Sequence, residues 1–188
     1  LQEAATARAL GLELIVTDHH ELADQLPEAA AIVHPRLPGW EYPFKWLCGA
    51  GVALKVAWAL CQRASASKRV RPALREFLLQ AVGLAAVGTV ADVVPLLDEN
   101  RILVRHGLAC LQAQPLPGMA ALLEVCGLSQ KARLESEDLA FALAPRLNAA
   151  GRFGQAQLGV ELLTTEVPPR ARQLAEYIHE MNRSRESL

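Results

Sequence analysis

Three groups of residues in this 188-residue chain carry side chains able to do chemistry. The first is Asp18-His19-His20, directly after the apolar run LELIVT (12–17). Two imidazoles and a carboxylate are costly to bury without partners. They also supply the borderline nitrogen and oxygen donors that Mn²⁺, Fe²⁺ or Zn²⁺ accept. A histidine pair alone is more often a surface or hydrogen-bonded core pair than a metal site. The second is Asp92, the single charged residue between Val87 and Leu97. A carboxylate in so apolar a setting must be paired, protonated or metal-bound; the alternative, a helix N-cap, is opposed by Pro95 three residues on. The third is Arg146-Leu147-Asn148-Ala149-Ala150-Gly151-Arg152. Arginine binds phosphate oxygens in a bidentate fork, and a glycine lets backbone N–H groups come close. A solvated helix end with dipole-complementing arginines reads the same way. Each group is ambiguous alone; VTDHH and GTVAD in one chain support a shared metal centre much more strongly than either does by itself.

The elements that must position these residues are legible in outline. Residues 2–10 read as a helix with Gly11 as its C-cap. LELIVT and AAIV (30–33) read as buried parallel strands, ending at Asp18-His19-His20 and at His34-Pro35. Helix, strand, loop, strand is the rhythm of an open α/β sheet, whose ligands gather at the carboxyl ends of strands. From Cys48 onward the chain turns helical. Gly49–Gln62 is apolar nearly all round and is expected to be buried on several sides. Residues 65–72 form a polar, basic connector, and Pro72 opens a helix to about Val87. GTVADVVPL (88–96) is expected to be a turn or short extended piece. Asp98 and Ser136 are N-cap candidates for further helices. Residues 148–154 read as a glycine-bearing loop, Gln155–Leu163 as a helix, and Arg170 to about Arg185 as a long amphipathic helix with Leu174, Tyr177, Ile178 and Met181 on one side.

Composition sets outer limits. Hydrophobic residues make up 52% and charged residues 21%, enough apolar surface to exclude a disordered tail. Lys+Arg 19 against Asp+Glu 20 gives a formal net charge of −1, which excludes a polycation that binds nucleic acid by bulk charge. The longest uncharged stretch, between Glu76 and Asp92, is too short and too polar for a membrane span and is expected to be core. Cys48, Cys61, Cys110 and Cys126 form no CxxC pair and sit among apolar neighbours, which favours buried free thiols in a reducing cytoplasm.

VTDHH (16–20), CGAGVALK (48–55), VGTVADVVPL with Asn100-Arg101 (87–101) and RLNAAGR (146–152) together resemble the DHH phosphoesterase superfamily, and within it the RecJ type. The closing MNRSRE is similar to the start of the helix that joins the two catalytic domains of that type. The resemblance implies an α/β fold: the C-terminal part of a DHH domain, a parallel sheet flanked by helices, then a helix-rich half. On it, residues 1–165 are a partial DHH domain without the family's N-terminal aspartate motifs, and 166–188 begin the interdomain helix. It also implies two-metal hydrolysis of single-stranded DNA from the 5′ end in repair and recombination, with Mn²⁺ or Mg²⁺ as cofactor. A single-strand-binding protein or a helicase is the implied partner, and no membrane is involved.

Residue by residue, the resemblance makes His19 and Asp92 metal ligands and turns His20 toward the scissile phosphate, with Asp18 orienting a histidine. Arg146, Asn148, Gly151 and Arg152 become the phosphate contacts. His34 stands where such proteins carry Asn, and is expected as a polar contact or tolerated variant rather than a ligand. His106 and His179 are expected to be structural or solvent-facing. Alone, the chain is expected to show little nuclease activity. Two alternatives stay open: a DHH-type small-molecule or oligonucleotide phosphatase or pyrophosphatase, and a scaffold that has lost its metal.

Overall fold

A computed structural model describes residues 1–186 of the chain. Helix α1 (Gln2–Ala9) ends at Leu10, and Gly11 follows at φ +70°, the left-handed geometry that glycine adopts without strain. Strands β1 (Ile15–Thr17) and β2 (Ala31–Val33) pair in parallel, Ile15 with Ala31 and Thr17 with Val33. The Asp18 N–H donates to the Val33 carbonyl at 3.1 Å and so carries the ladder into the Asp18-His19-His20 loop. The strands are less buried than expected. Val33 packs toward the cluster of Phe44 and Val52, but Ile15 remains 64% exposed, because no apolar layer lies over that side of the two-stranded ribbon.

The rest is helical: α2 (Gly49–Ala64), α3 (Pro72–Ala91), α4 (Asp98–Ala113) and α5 (Pro117–Val125), then a run from Ser136 to Arg152, α8 (Ala156–Thr164) and α9 (Pro168–Glu186). The run consists of α6 (Ser136–Asp138), a π-helical stretch at Leu139–Leu143 and α7 (Ala144–Arg152). Its N-cap is Glu135 rather than Ser136: the Glu135 side chain takes a backbone N–H while Asp138 accepts the Glu135 N–H at 2.7 Å. α4 likewise starts without a side-chain cap, and Asp98 lies inside it at φ +39°.

Helix α3 is the wall shared by both cores. Its Ala85 joins Phe44, Leu47, Val52, Leu54 and Leu103 on one side. Its Ala86, Val87 and Val90 face Met119, Leu122, Leu139, Leu143, Leu162 and Ile178 on the other. α3 is long and apolar enough, by length and composition only, to cross a membrane, but it carries Arg75 and Glu76 and is packed by α2 and α4. It also runs past Val87, where the sequence suggested a turn. Gly88 does not break it but admits a neighbour: a Cβ there would lie 2.5 Å from the Ala50 Cβ of α2. Gly107 of α4 does the same against Ala86, with a virtual Cβ 2.2 Å from that methyl. Helix α2 is buried at Gly51, Val52, Leu54 and Cys61, while Trp58 and Leu60 are exposed, so it is covered on fewer sides than expected. In α9, Ala171, Leu174, Ala175 and Ile178 enter the second core and Tyr177 faces out. All four cysteines are free; Cys48 and Cys61 are buried, Cys110 and Cys126 half-buried.

Gly107→Ala should destabilise the chain by about 1–3 kcal/mol in chemical denaturation, the usual cost of overpacking, because Ala86 and the Val82 carbonyl leave its Cβ no room. A loss below about 0.5 kcal/mol would show that α3 and α4 can part at no cost.

Candidate metal and phosphate site

The α2 and α3 crossing brings the motifs together. Cys48 caps α2: the Gly51 N–H donates to its Sγ at 3.3 Å, and the sulfur lies 3.4 Å from Thr89 Oγ1 of α3. The Thr89 hydroxyl donates to the Ala85 carbonyl at 2.7 Å, so its one proton is used and the thiol serves as donor to it. At that end of α2, a Cβ on Gly49 would touch the His19 ring at 3.5 Å, and Asp92 follows as the C-cap of α3. His19 Nε2 and Asp92 Oδ2 are 3.5 Å apart, with side chains 16% and 40% exposed. The pair is open to solvent and fits one edge of a metal coordination shell, an imidazole nitrogen and a carboxylate oxygen with room between them. Among the described residues no third histidine, cysteine or carboxylate completes a group of three there.

Asp18 faces its own loop. Its Oδ1 accepts from the His19 N–H at 2.7 Å and from the His20 N–H at 3.3 Å, and lies 2.6 Å from His20 Nδ1. Partial burial alone would push its carboxyl up. The bonds from the His20 ring and the two amides outweigh that and hold it down at about 2. An ionised Asp18 keeps the His20 proton on Nδ1, which leaves Nε2 as the free ring position.

Two residues after β2 grip this loop from below. His34, 7% exposed, accepts the Arg36 N–H on Nδ1 at 3.0 Å, so its proton sits on Nε2 and is donated to the His20 carbonyl at 2.9 Å. Arg36 donates to the His19 carbonyl at 2.6 Å and to Glu21 at 2.6 Å. His34 therefore acts on the motif's backbone. Sequence reasoning misses Arg36, because a charge after His-Pro carries no signal that it will turn back toward residues 19–21.

The segment expected as a loop over 148–154 is helical to Arg152, the last residue of α7, and only Phe153 and Gly154 turn, Gly154 at φ +70°. Arg146 is committed within the fold: its Nε donates to His179 Nδ1 of α9 at 2.9 Å and a terminal nitrogen to the Ala142 carbonyl at 2.7 Å. The Cys126 thiol reaches the same carbonyl at 3.8 Å. Asn148, Gly151 and Arg152 are exposed, and a Cβ on Gly151 would meet nothing within 4 Å. Asn148 lines a groove of about 480 Å³ with Ala50, Gly88 and Ala91. The rest of that lining is apolar, Leu54, Leu84, Val87, Met119 and Leu147 among it, and the groove comes near the His19–Asp92 pair only through chain neighbours, Ala50 beside Gly49 and Ala91 beside Asp92. His106 is exposed on α4.

Residues 1–88 match the DHH family, N-terminal domain. The chain is 42% identical, over 188 residues, to the single-stranded-DNA-specific exonuclease RecJ of Bacillus subtilis (strain 168), covering 100% of this chain and 22% of that protein. The RecJ of Escherichia coli (strain K12) is 42% identical over 185 residues, 97% of this chain and 32% of that protein. The chain therefore spans well under half the length of these relatives. A crystal structure of RecJ in complex with Mn²⁺ from Thermus thermophilus superposes with a TM-score of 0.82 at 37% identity, over 97% of this chain and 26% of that one. A structure of exonuclease RecJ bound to manganese gives 0.84 at 36% identity, over 99% and 44%.

Two outcomes are expected of the loop. Arg36→Ala should raise amide exchange of His19 and His20 by roughly tenfold or more, the worth of a charge-assisted hydrogen bond, with the α3 amides unchanged; equal protection in both proteins would remove the grip. Asp18, followed by carboxyl NMR, should titrate near 2 and rise toward the ordinary carboxylate value in His20→Ala. Since its folded value lies below the unfolded one, its contribution is complete above about pH 4 and is lost as pH falls through 2. An unchanged midpoint in His20→Ala would assign the depression to the amides alone.

Proposed function

We propose that this chain, whose residues 1–88 match the DHH family, N-terminal domain, supplies part of the metal site and the phosphate contacts of a nuclease that hydrolyses single-stranded DNA from the 5′ end. The observation that carries the reading is the juxtaposition of His19 with Asp92, far apart in sequence and 3.5 Å apart in the fold. A bound pair of Mn²⁺ or Mg²⁺ ions would supply Lewis acidity toward the phosphate and a more acidic water, with His19 and Asp92 as the holding residues from this chain.

The chain's own side chains do the rest. Asp18 fixes the His20 ring, whose Nε2 faces the phosphate as a base when neutral and a donor when protonated. His34 and Arg36 hold the two carbonyls so that neither ring drifts. Arg152 and Asn148 bind phosphate oxygens beside the open surface of Gly151, and Arg146, tied to His179, sets the pitch of α7 beneath them. Single-stranded DNA is the proposed substrate, presented by a single-strand-binding protein or a helicase; the free thiols fit a cytoplasmic compartment.

The test replaces the matching segment of the Bacillus subtilis relative with these 188 residues. The exchanged enzyme should degrade single-stranded DNA with Mn²⁺, and His19→Ala or Asp92→Ala should each lower turnover by more than about 100-fold, the upper end for losing even an outer partner of a metal site. Unchanged turnover in either variant removes that residue from the metal site. Cleavage of small phosphate esters or pyrophosphate but not DNA would favour a phosphatase.

A further inference from the structure

The far ends of α2 and α3 carry a second feature that the metal site does not use. Between Ala64 and Pro72 the connector places Lys68, Arg69 and Arg71 on the rim of a basin of about 1,090 Å³, with Arg75 from the first turn of α3. Among the described residues none of these four cations is in an ion pair, and Glu76 is the only carboxylate on the lining. In a chain of net charge −1 that is a concentrated local field.

The rim is held in shape. The Ser65 hydroxyl donates to the Cys61 carbonyl at 2.7 Å and accepts the Arg71 N–H at 3.1 Å. Gln62 Nε2 donates to the Lys68 carbonyl at 3.0 Å, and the Arg69 N–H donates to Ser67 Oγ at 3.1 Å. The basic residues therefore project from an ordered turn, and the field they make has a fixed position. The floor holds an aromatic face: Trp58 is 44% exposed and lies among the lining residues, with Lys55 Nζ 5.2 Å from its ring.

We infer that this basin is a second contact site for single-stranded nucleic acid, in which Lys68, Arg69, Arg71 and Arg75 neutralise phosphates and Trp58 stacks a base. Unpaired cations around an exposed indole are the combination that sequence-tolerant single-strand binding uses. An acidic peptide is the other polyanion to weigh. Arginine clusters also take acidic peptide motifs, but an Asp- or Glu-rich segment brings no ring to lay on the exposed indole of Trp58, which a nucleobase does. Helix α2 starts beneath His19 and ends at the basin rim, so the basic turn lies about 24 Å, and Trp58 about 14 Å, along the helix from its start. A strand held in the basin is thus held away from the metal pair, as an anchor and not as a leaving group. The inference rests on the proposed function for the class of polyanion alone.

The experiment separates the two. Binding of fluorescein-labelled oligothymidylate to the 188-residue chain is followed by anisotropy in EDTA, where no hydrolysis occurs, across a range of salt. Replacing Lys68, Arg69, Arg71 and Arg75 together by Gln should weaken binding at least tenfold at low salt. It should also flatten the slope of log K against log salt by about 2–3, near 0.7 for each phosphate released. Trp58→Ala should weaken binding at least about fivefold and leave the slope unchanged. His19→Ala and Asp92→Ala should bind with the parent slope, so that a failed metal site and a failed basin read out differently. A slope altered by less than about 0.5 in the quadruple variant, with native circular dichroism, overturns the inference. So does an Asp-rich peptide that binds the parent, is lost in the quadruple variant, and is not displaced by oligothymidylate.

Discussion

How near α2 and α4 can come to α3 is decided by side chains that are missing. Gly88 receives Ala50, Gly107 receives Ala86, and Gly83 lies under Leu111. Each contact replaces a methyl by a neighbouring helix, and the three together bring two neighbours onto one central rod. The interior is close-packed, so a helix displaced by one methyl cannot be accommodated by small adjustments elsewhere. The consequences reach the chemistry directly. Asp92 is the residue on which α3 ends, and His19 rests against the first residue of α2. The separation of a carboxylate from an imidazole is therefore set by the separation of two backbones, which only glycine and alanine allow.

The same crossing explains why the loop of Asp18, His19 and His20 needs a grip of its own. It lies beyond β1 with no helix of its own to hold it, and the His19 and His20 amides are spent on the Asp18 carboxylate rather than on the sheet. Its carbonyls then need donors, and these come from the end of β2, from the His34 ring and the Arg36 guanidinium. The parallel pairing of β1 with β2 brings the two strand ends level, and so makes this possible. Backbone groups without partners near a charged centre would be costly. Here they are satisfied by side chains other than the two imidazoles, which leaves the His19 ring to meet Asp92 and the His20 ring to meet Asp18.

How far the sequence reveals this varies with the kind of signal. The strand ends, the two histidines and Asp92 stand out because a charged group beside apolar, β-branched residues is locally anomalous. The helix through Gly88 to Ala91 does not. Glycine and Thr-Val read as breakers when only local propensity is weighed, and the compensation lies in Ala50, distant in sequence. The segment from 148 to 154 departs from expectation for a related reason. Gly151 suggests a loop, but the turn belongs to Gly154, the one with positive φ. Asp98 and Ser136 look like caps by residue type, whereas the reciprocal bond that stabilises the start of α6 uses Glu135 and Asp138, which only geometry could pair.

Arg146 shows the limit most clearly. By type and spacing it belongs with Arg152, and both suit phosphate. The fold divides them: Arg146 turns inward to His179 and the Ala142 carbonyl, while Arg152 stays on the surface with Asn148. A guanidinium already bonded on two of its nitrogens gains less from a phosphate than a free one, since part of its donor geometry is taken. The work of the motif is thereby split along one helix. One arginine fixes α7 against α9, and the other, a turn and a half further on, is left exposed at the helix end. A sequence motif can thus be functional as a unit while its members act by different physics, one through position and one through charge.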